Sequence, residues 1–261
     1  MTQLSDITLL VTHFNRSESL SRLLQTLSNI GLSFTEIIIS DGGSNDKHLN
    51  EVIRLRDVYN YTLLTTEENK GLGNSINVGQ DAAKTNFIVY IQEDFVPKPA
   101  FKAALIDGLE IIKSEPKWDL VRFYAFPWAP FPYRKPYKKG FSELIFSLSP
   151  FYTNHNKFYV YADHPHIKRK TFPEKFGRYV ETLSGDVTEM AMCRSFLKNQ
   201  GEALYFDRFE DLFEHDNPED EPGQFRPDYE KRKKFSDIKP LYKLYLKFKV
   251  LKETVSYILA K

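Results

Sequence analysis

Four short segments carry residues whose types and spacing suit the holding of a diphosphate and a divalent cation. Ser40-Asp41-Gly42-Gly43-Ser44-Asn45-Asp46 joins a carboxylate to two glycines. The carboxylate can accept a hydrogen bond from a base N–H, and the glycines let the backbone come close to a ligand. Asn69-Lys70-Gly71-Leu72-Gly73-Asn74-Ser75-Ile76-Asn77 is a glycine-rich run leading into a helical pattern. Free N–H groups at such a helix start favour anions, and Lys70 would offset phosphate charge. It is not the dinucleotide fingerprint, because it follows the third strand of the pattern and has Asn where the third Gly belongs. Gln92-Glu93-Asp94-Phe95 sets two carboxylates side by side. Oxygen ligands of this kind suit Mg²⁺ or Mn²⁺, which would bridge diphosphate oxygens and neutralise a leaving group. Thr12-His13-Phe14-Asn15-Arg16 is the fourth segment. Each has an ordinary reading when taken alone: a helix start, a turn capped by Asp46, or a solvated acidic turn.

The elements around these segments alternate. Ile7–Thr12, Glu36–Ser40, Tyr61–Thr66 and Phe87–Gln92 read as short buried strands, with Ile37, Ile38 and Ile39 the plainest β-branched run. Between them, Ser17–Ile30 has Leu20, Leu23, Leu24 and Leu27 at helical spacing, with Ser17 a plausible cap. Asp46–Asp57, Leu72–Lys84 and Ala100–Lys113 read as further helices. This rhythm predicts an α/β fold, a mostly parallel central sheet flanked by helices. In such sheets ligands bind beyond the carboxyl ends of the strands, which is where Thr12–Arg16, Asp41–Asp46 and Gln92–Phe95 fall. The later chain is less regular. Trp118–Ala125 and Ala203–Phe206 read as strands, Pro127–Gly140 as a loop, and Ser184–Gln200 and Lys239–Lys261 as helices. Asp163-His164-Pro165-His166-Ile167-Lys168-Arg169 could hold an anion; a surface loop is the more ordinary reading. The expected organisation is 1–115 for the donor side, 116–235 for the acceptor side of the same domain, and 236–261 as an amphipathic C-terminal helix.

In this order and on these strands, the four segments resemble the family 2 glycosyltransferases of GT-A fold. The likeness runs from Ile7 to about Phe101. It sets Asp41-Gly42-Gly43-Ser44-Asn45-Asp46 against the family's Asp-Asp-Gly-Ser-x-Asp, and Gln92-Glu93-Asp94 against its Asp-x-Asp. Gly42 and Gln92 depart from those patterns. The resemblance implies sugar transfer from a nucleotide-diphosphate donor, with UDP as the family-level nucleotide, to a glycan or lipid-linked acceptor, by a metal-dependent inverting displacement. It implies nucleotide contacts from Thr12, Asn15, Arg16, Asp41, Gly43, Lys70, Gly71, Asn77 and Glu93, and Mn²⁺ or Mg²⁺ held by Asp94 and His215. It implies a base on the helix that begins near Gly185, Asp186 first and Glu189 second; these two stand three apart and share one helical face. The rival reading is a non-catalytic module of the same fold that binds nucleotide or glycan in an assembly complex, and Gly42 and Gln92 favour it.

The net charge is +1, so no global field points to nucleic acid. The charge is uneven: Lys231 to Lys261 carries ten Lys or Arg against Asp237 and Glu253. With Leu and Tyr interleaved, that tail fits a helix lying on an anionic membrane or docked on the domain or a second subunit. Cys193 is the one cysteine, so no internal disulfide can form, which fits a reducing compartment. No basic leader and no run of about 20 apolar residues is present. The expected place is the cytoplasm, within reach of the inner face of a membrane.

Overall fold

The computed structural model describes residues 2–218, Glu221 and residues 239–259. The basic cluster Lys231–Lys234 and the ends of the tail lie outside them. The first half follows the expected alternation: β1 (Thr2–His13), α1 (Ser17–Asn29), β2 (Leu32–Asp41), α2 (Asp46–Tyr59), β3 (Thr62–Thr65), α3 (Leu72–Ala82), β4 (Phe87–Gln92), β5 (Phe95–Pro97) and α4 (Ala100–Ser114). The second half adds β6 (Leu120–Arg122), β7 (Arg134–Pro136), β8 (Phe141–Leu144), β9 (His166–Arg169), α5 (Phe172–Phe176), α6 (Gly185–Lys198), β10 (Ala203–Phe206), β11 (Phe213–His215) and α7 (Lys239–Leu259).

Nine strands form one sheet in the order β3-β2-β1-β4-β9-β6-β10-β8-β7. β1, β2, β3 and β4 run parallel, as the alternation predicts. β9 is antiparallel to both neighbours and joins the two halves of the chain into the same sheet. The side-chain period of two sorts the buried residues onto two faces. Leu9, Val11, Ile39, Val89 and Ile91 pack with Leu20, Leu23 and Leu24 of α1, Val52 of α2 and Leu105 of α4. Leu10, Ile38, Ile88 and Tyr90 pack on the other side with Ile76 of α3 and Phe196 of α6. Helices therefore cover both faces, which is why β1, β2 and β4 are predominantly apolar.

Three local expectations change. Ser17 is the first residue of α1 rather than its cap; Arg16 holds the cap position without a side-chain bond. Asn45, not Asp46, caps α2, its side chain accepting from the His48 N–H. The segment that reads as a surface loop, Asp163–Arg169, contains β9, a central strand. Ile167 faces one layer, while His166 and Lys168 are fully buried on the other.

Lys168 has an unusual place. Its Nζ donates to the Tyr179 hydroxyl at 2.9 Å and lies over the Tyr179, Phe172 and Tyr90 rings. Burial holds its pKa well below the ordinary lysine value of 10.5. The unfolded chain therefore holds a proton there to higher pH than the folded chain does, and the resulting cost falls as pH rises toward 10.5. Lys168→Met is expected to raise the midpoint of thermal unfolding at pH 7, with the gain over wild type shrinking by pH 10. A gain that stays constant with pH would exclude the mechanism.

Candidate active site

The carboxyl ends of the parallel strands meet in one row. His13 of β1 lies opposite Asp41 of β2, which lies opposite Thr65 of β3, and Thr12 lies opposite Gln92 of β4. Asp41 is buried and fully engaged. Its Oδ1 accepts from the Ser44 hydroxyl at 2.5 Å and lies 2.7 Å from His13 Nδ1. Its Oδ2 accepts from the Gly43 and Ser44 N–H groups and the Thr65 hydroxyl. Burial alone would raise this carboxyl, but the bonds from His13 and Ser44 outweigh it and hold the pKa at about 2. To hold a base, Asp41 would have to release one of these partners. As folded, it fixes the loops after β1 and β2 against each other. Asn15 completes that lock, its N–H donating to Ser44 Oγ and its Oδ1 accepting from the Asn45 N–H, both at 2.8 Å. Thr12 hydrogen-bonds the Tyr90 hydroxyl at 3.0 Å.

The glycine-rich start of α3 packs closely against the chain's own backbone. Gly71 has φ +86°, and a Cβ there would stand 1.9 Å from the Thr182 carbonyl oxygen; at Gly73 it would stand 2.2 Å from that of Val180. The missing side chains admit the chain's own segment Tyr179–Leu183. Asn77 clasps that segment, its Nδ2 donating to the Tyr179 carbonyl at 2.9 Å and its Oδ1 accepting the Tyr179 N–H at 3.0 Å. Asn74 and Asn77 also both donate to the Glu181 carboxylate. Gly71 and Asn77 thus help to position the segment before α6. Gly43 has φ +81° and is hemmed by the backbone of Glu68 and Asn69, while Lys70 stays exposed.

The structure brings Asp94, Glu93, Arg16 and His215 together. β11 pairs with β5 so that His215 lies opposite Phe95, and the Asp216 N–H donates to the Asp94 carbonyl at 2.9 Å. His215 Nε2 then stands 3.3 Å from Asp94 Oδ2, which also accepts from Arg16 Nη1 at 3.0 Å. Arg16 reaches on to Asn217 Oδ1 at 2.6 Å. Burial opposes ionisation of Asp94, yet His215 and Arg16 keep its pKa below the usual aspartate value. Glu93 is pushed up to about 8 by burial and by the neighbouring Asp94 charge. Asp94 Oδ1 is buried with no hydrogen-bond partner.

These residues fit a divalent cation held jointly with a diphosphate. Among the described residues no group of three His, Cys, Asp or Glu could hold a metal alone. One carboxylate oxygen and one imidazole leave most positions of such a cation for phosphate oxygens and water, the usual pattern for cations bound through a nucleotide.

Asp186 is exposed in the first turn of α6, and Glu189 is half-buried one turn later. Glu189 Oε1 accepts the Asp163 N–H at 3.4 Å, and Gln92 Nε2 donates to the Asp163 carbonyl at 3.3 Å. Burial and Glu189 raise the Asp163 carboxyl well above its ordinary pKa. Asp163 thus ties the end of β4 to α6. Its segment stands out in the sequence only as a polar cluster, and nothing in the spacing links it to Gln92.

The profile of the family described as "Glycosyl transferase family 2" matches residues 8–176. Curated relatives include a "Cholesterol galactosyltransferase" of Borreliella burgdorferi, 24% identical over 54% of this chain and 42% of that protein. Another is a "Poly-beta-1,6-N-acetyl-D-glucosamine synthase" of Staphylococcus aureus, 24% identical over 36% of this chain and 23% of that protein. The chain spans less than half the length of these relatives. Among solved structures, S. aureus TarS 1-349 in complex with UDP-GlcNAc matches with a TM-score of 0.60 at 15% identity, over 85% of this chain and 62% of that one. Mycobacterium tuberculosis glucosyl-3-phosphoglycerate synthase, in complex with Mn²⁺, UDP and glucosyl-3-phosphoglycerate, matches at 0.54 and 13%, over 81% and 72%. The fold is the GT-A fold, as the resemblance carried by the four segments implies. With the profile spanning the four parallel strands and β9, this chain belongs to glycosyl transferase family 2.

Proposed function

We propose that this chain moves a hexose from a UDP-sugar to a glycan or lipid-linked acceptor by a metal-dependent, inverting displacement. The observation that carries the reading is the buried Asp94 at the carboxyl edge of the parallel strands, its Oδ1 unpartnered and its Oδ2 3.3 Å from His215 Nε2. Asp94 and His215 would hold Mn²⁺ or Mg²⁺ together with the donor; when bound, the cation neutralises the departing nucleoside diphosphate. Arg16 keeps Asp94 ionised and oriented. Thr12, Asn15, Arg16, Asp41, Gly43, Lys70 and Glu93 form or shape the nucleotide side. The solved neighbours with UDP and UDP-GlcNAc bound support uridine as the nucleoside. Calorimetry with UDP, GDP, dTDP and CDP, with and without Mn²⁺, tests it. UDP is expected to bind, and only with the cation present; binding of none of the four would sink the reading.

The acceptor hydroxyl must lose a proton as it attacks. Of the two candidate carboxylates, Glu189 is the half-buried one, and its Oε1 accepts the N–H of Asp163, whose carbonyl accepts from Gln92. Glu189→Gln is expected to lower kcat by about 10²–10⁴ with UDP affinity unchanged. If Asp186→Asn alone produces that loss, the base is Asp186.

A non-catalytic role is favoured by the Gly42 and Gln92 departures, and Gln92, which replaces a carboxylate of the metal motif, donates to the Asp163 backbone carbonyl. Such a role predicts UDP binding without transfer or donor hydrolysis.

No described helix is long and apolar enough to cross a membrane. α7 exposes Leu241, Leu244, Phe248, Leu251, Val255 and Ile258 at alternating steps of three and four, flanked by exposed Lys247 and Lys252. Its other side docks on the domain, where Arg194 Nη2 donates to Glu253 at 2.8 Å and Tyr257 packs on Phe146. Such a stripe can also be the seam of paired helices in a homodimer, but its lysines would then bring like charges together. An anionic membrane at the cytoplasmic face suits the stripe better. Co-sedimentation with phosphatidylglycerol vesicles is expected for wild type and lost in Phe248→Glu; an unaffected variant would remove the membrane contact.

A further inference from the structure

The chain has two tryptophans placed in opposite ways: Trp118 is fully buried and Trp128 is 79% exposed. An indole normally serves a core or an interface, so a freely exposed one next to a reaction site calls for a ligand. Trp128 is held rather than loose. Pro127 fixes the second position of a turn that the Ala129 N–H closes on the Phe126 carbonyl at 2.9 Å. The turn lays the indole on the Phe126 ring, centroids 4.8 Å apart and planes 14° from parallel. One indole face is thereby covered and the other left open.

The shelf is built against the proposed chemistry. Phe126 stands edge-on to His215 at 5.4 Å and 89°, and edge-on to His164 at 4.9 Å and 86°. His215 lies 3.3 Å from Asp94, and Asp163, the neighbour of His164, is bonded to Glu189. The indole is therefore two ring contacts from the candidate cation ligand and beside the segment that holds the candidate base. The donor side comes from the loops after β1, β2 and β4. Trp128 comes instead from the loop after β6, in the other half of the chain.

We propose that the open face of Trp128 is the acceptor subsite, and that it takes the apolar C–H face of a pyranose ring, the sugar whose hydroxyl is to be glycosylated. A pyranose with equatorial hydroxyls presents a flat patch of C–H groups to a π face and keeps its hydroxyls at the rim for Glu189 and its neighbours. The inference rests on the transferase reading, and its failure can be told from the failure of that reading.

Acrylamide quenching of intrinsic fluorescence measures the subsite directly, because Trp118 is inaccessible and Trp128 reports alone. The full chain is titrated, with UDP and Mn²⁺ present, with cellotriose, chitotriose, a β-1,6-linked N-acetylglucosamine trisaccharide and methyl β-galactoside. At least one is expected to lower the quenching constant two-fold or more, saturably, while UDP alone does not. In a transfer assay with that sugar, Trp128→Ala is expected to raise the acceptor KM about ten-fold, and Trp128→Phe to recover most of it. Shielding by a sugar without UDP binding would end the transferase reading and leave the shelf standing. UDP binding with no shielding by any of the four sugars, or an unchanged acceptor KM in Trp128→Ala, would overturn the subsite.

Discussion

Asp94→Asn is expected to reduce sugar transfer by about 10³-fold and to abolish cation-dependent UDP binding. The residue is buried, and its Oδ2 accepts from Arg16 at 3.0 Å with His215 at 3.3 Å. The amide keeps the shape but loses the charge, and one of its two positions can no longer accept. Arg16 is itself buried, so the change leaves its guanidinium with only Glu93, 3.9 Å away, in place of the close Asp94 partner, which costs stability as well as function. The two losses separate cleanly. His215→Ala removes the imidazole but leaves the Arg16–Asp94 pair in place, so it is expected to weaken Mn²⁺-dependent UDP binding with a much smaller fall in unfolding temperature. Calorimetry and thermal unfolding on the two variants measure this. UDP binding that survives in Asp94→Asn at wild-type strength would take the cation out of the proposal.

Gly71→Ala is expected to cost on the order of 3 kcal/mol and to lower the unfolding midpoint by about 10 °C. A non-glycine residue at φ +86° is strained, and its Cβ would stand 1.9 Å from the Thr182 carbonyl oxygen, which is backbone and cannot swing aside. The displaced segment leads directly into α6, so the position of Glu189 moves with it. Gly177→Ala is the control: it has φ +77° but nothing within 4 Å of an added Cβ, so only the backbone cost of about 1 kcal/mol remains. The comparison also decides what Gly71 is for. A phosphate-contact glycine would lose UDP affinity on substitution with its midpoint unmoved; a packing glycine would lose the midpoint first.

Much of the fold was legible because its signals are local. β4 and β10 fall where the apolar runs stand, at Phe87–Gln92 and Ala203–Phe206. The leucines of α1 at helical spacing are all buried. The later half resisted for identifiable reasons. β9 carries His166 and Lys168 where a buried strand ordinarily carries aliphatic residues, and those positions become tolerable only because Tyr90, Tyr161, Tyr179 and Phe172 arrive from distant segments to receive them. β7 lies inside what reads as a loop and contains Pro136, which an edge strand accepts because no neighbour needs its missing N–H.

The same division runs through the candidate site. The sequence by itself determined the parallel half of the sheet, the edge where Thr12–Arg16, Asp41–Asp46 and Gln92–Phe95 gather, and the family, since each follows from strand periodicity and from motifs read within a few residues. Only the tertiary structure decided how those residues are used. It spent both oxygens of Asp41 on His13, Ser44, Thr65 and the loop backbone, and it gave Gly71 and Asn77 to the segment before α6. It set His215 beside Asp94 through the pairing of β11 with β5, and it brought the Asp163 backbone between Gln92 and Glu189. Periodicity reports which face of an element is buried. It carries no information about which polar groups, far apart in the chain, will satisfy one another once that face is covered, and every one of these assignments is of that second kind.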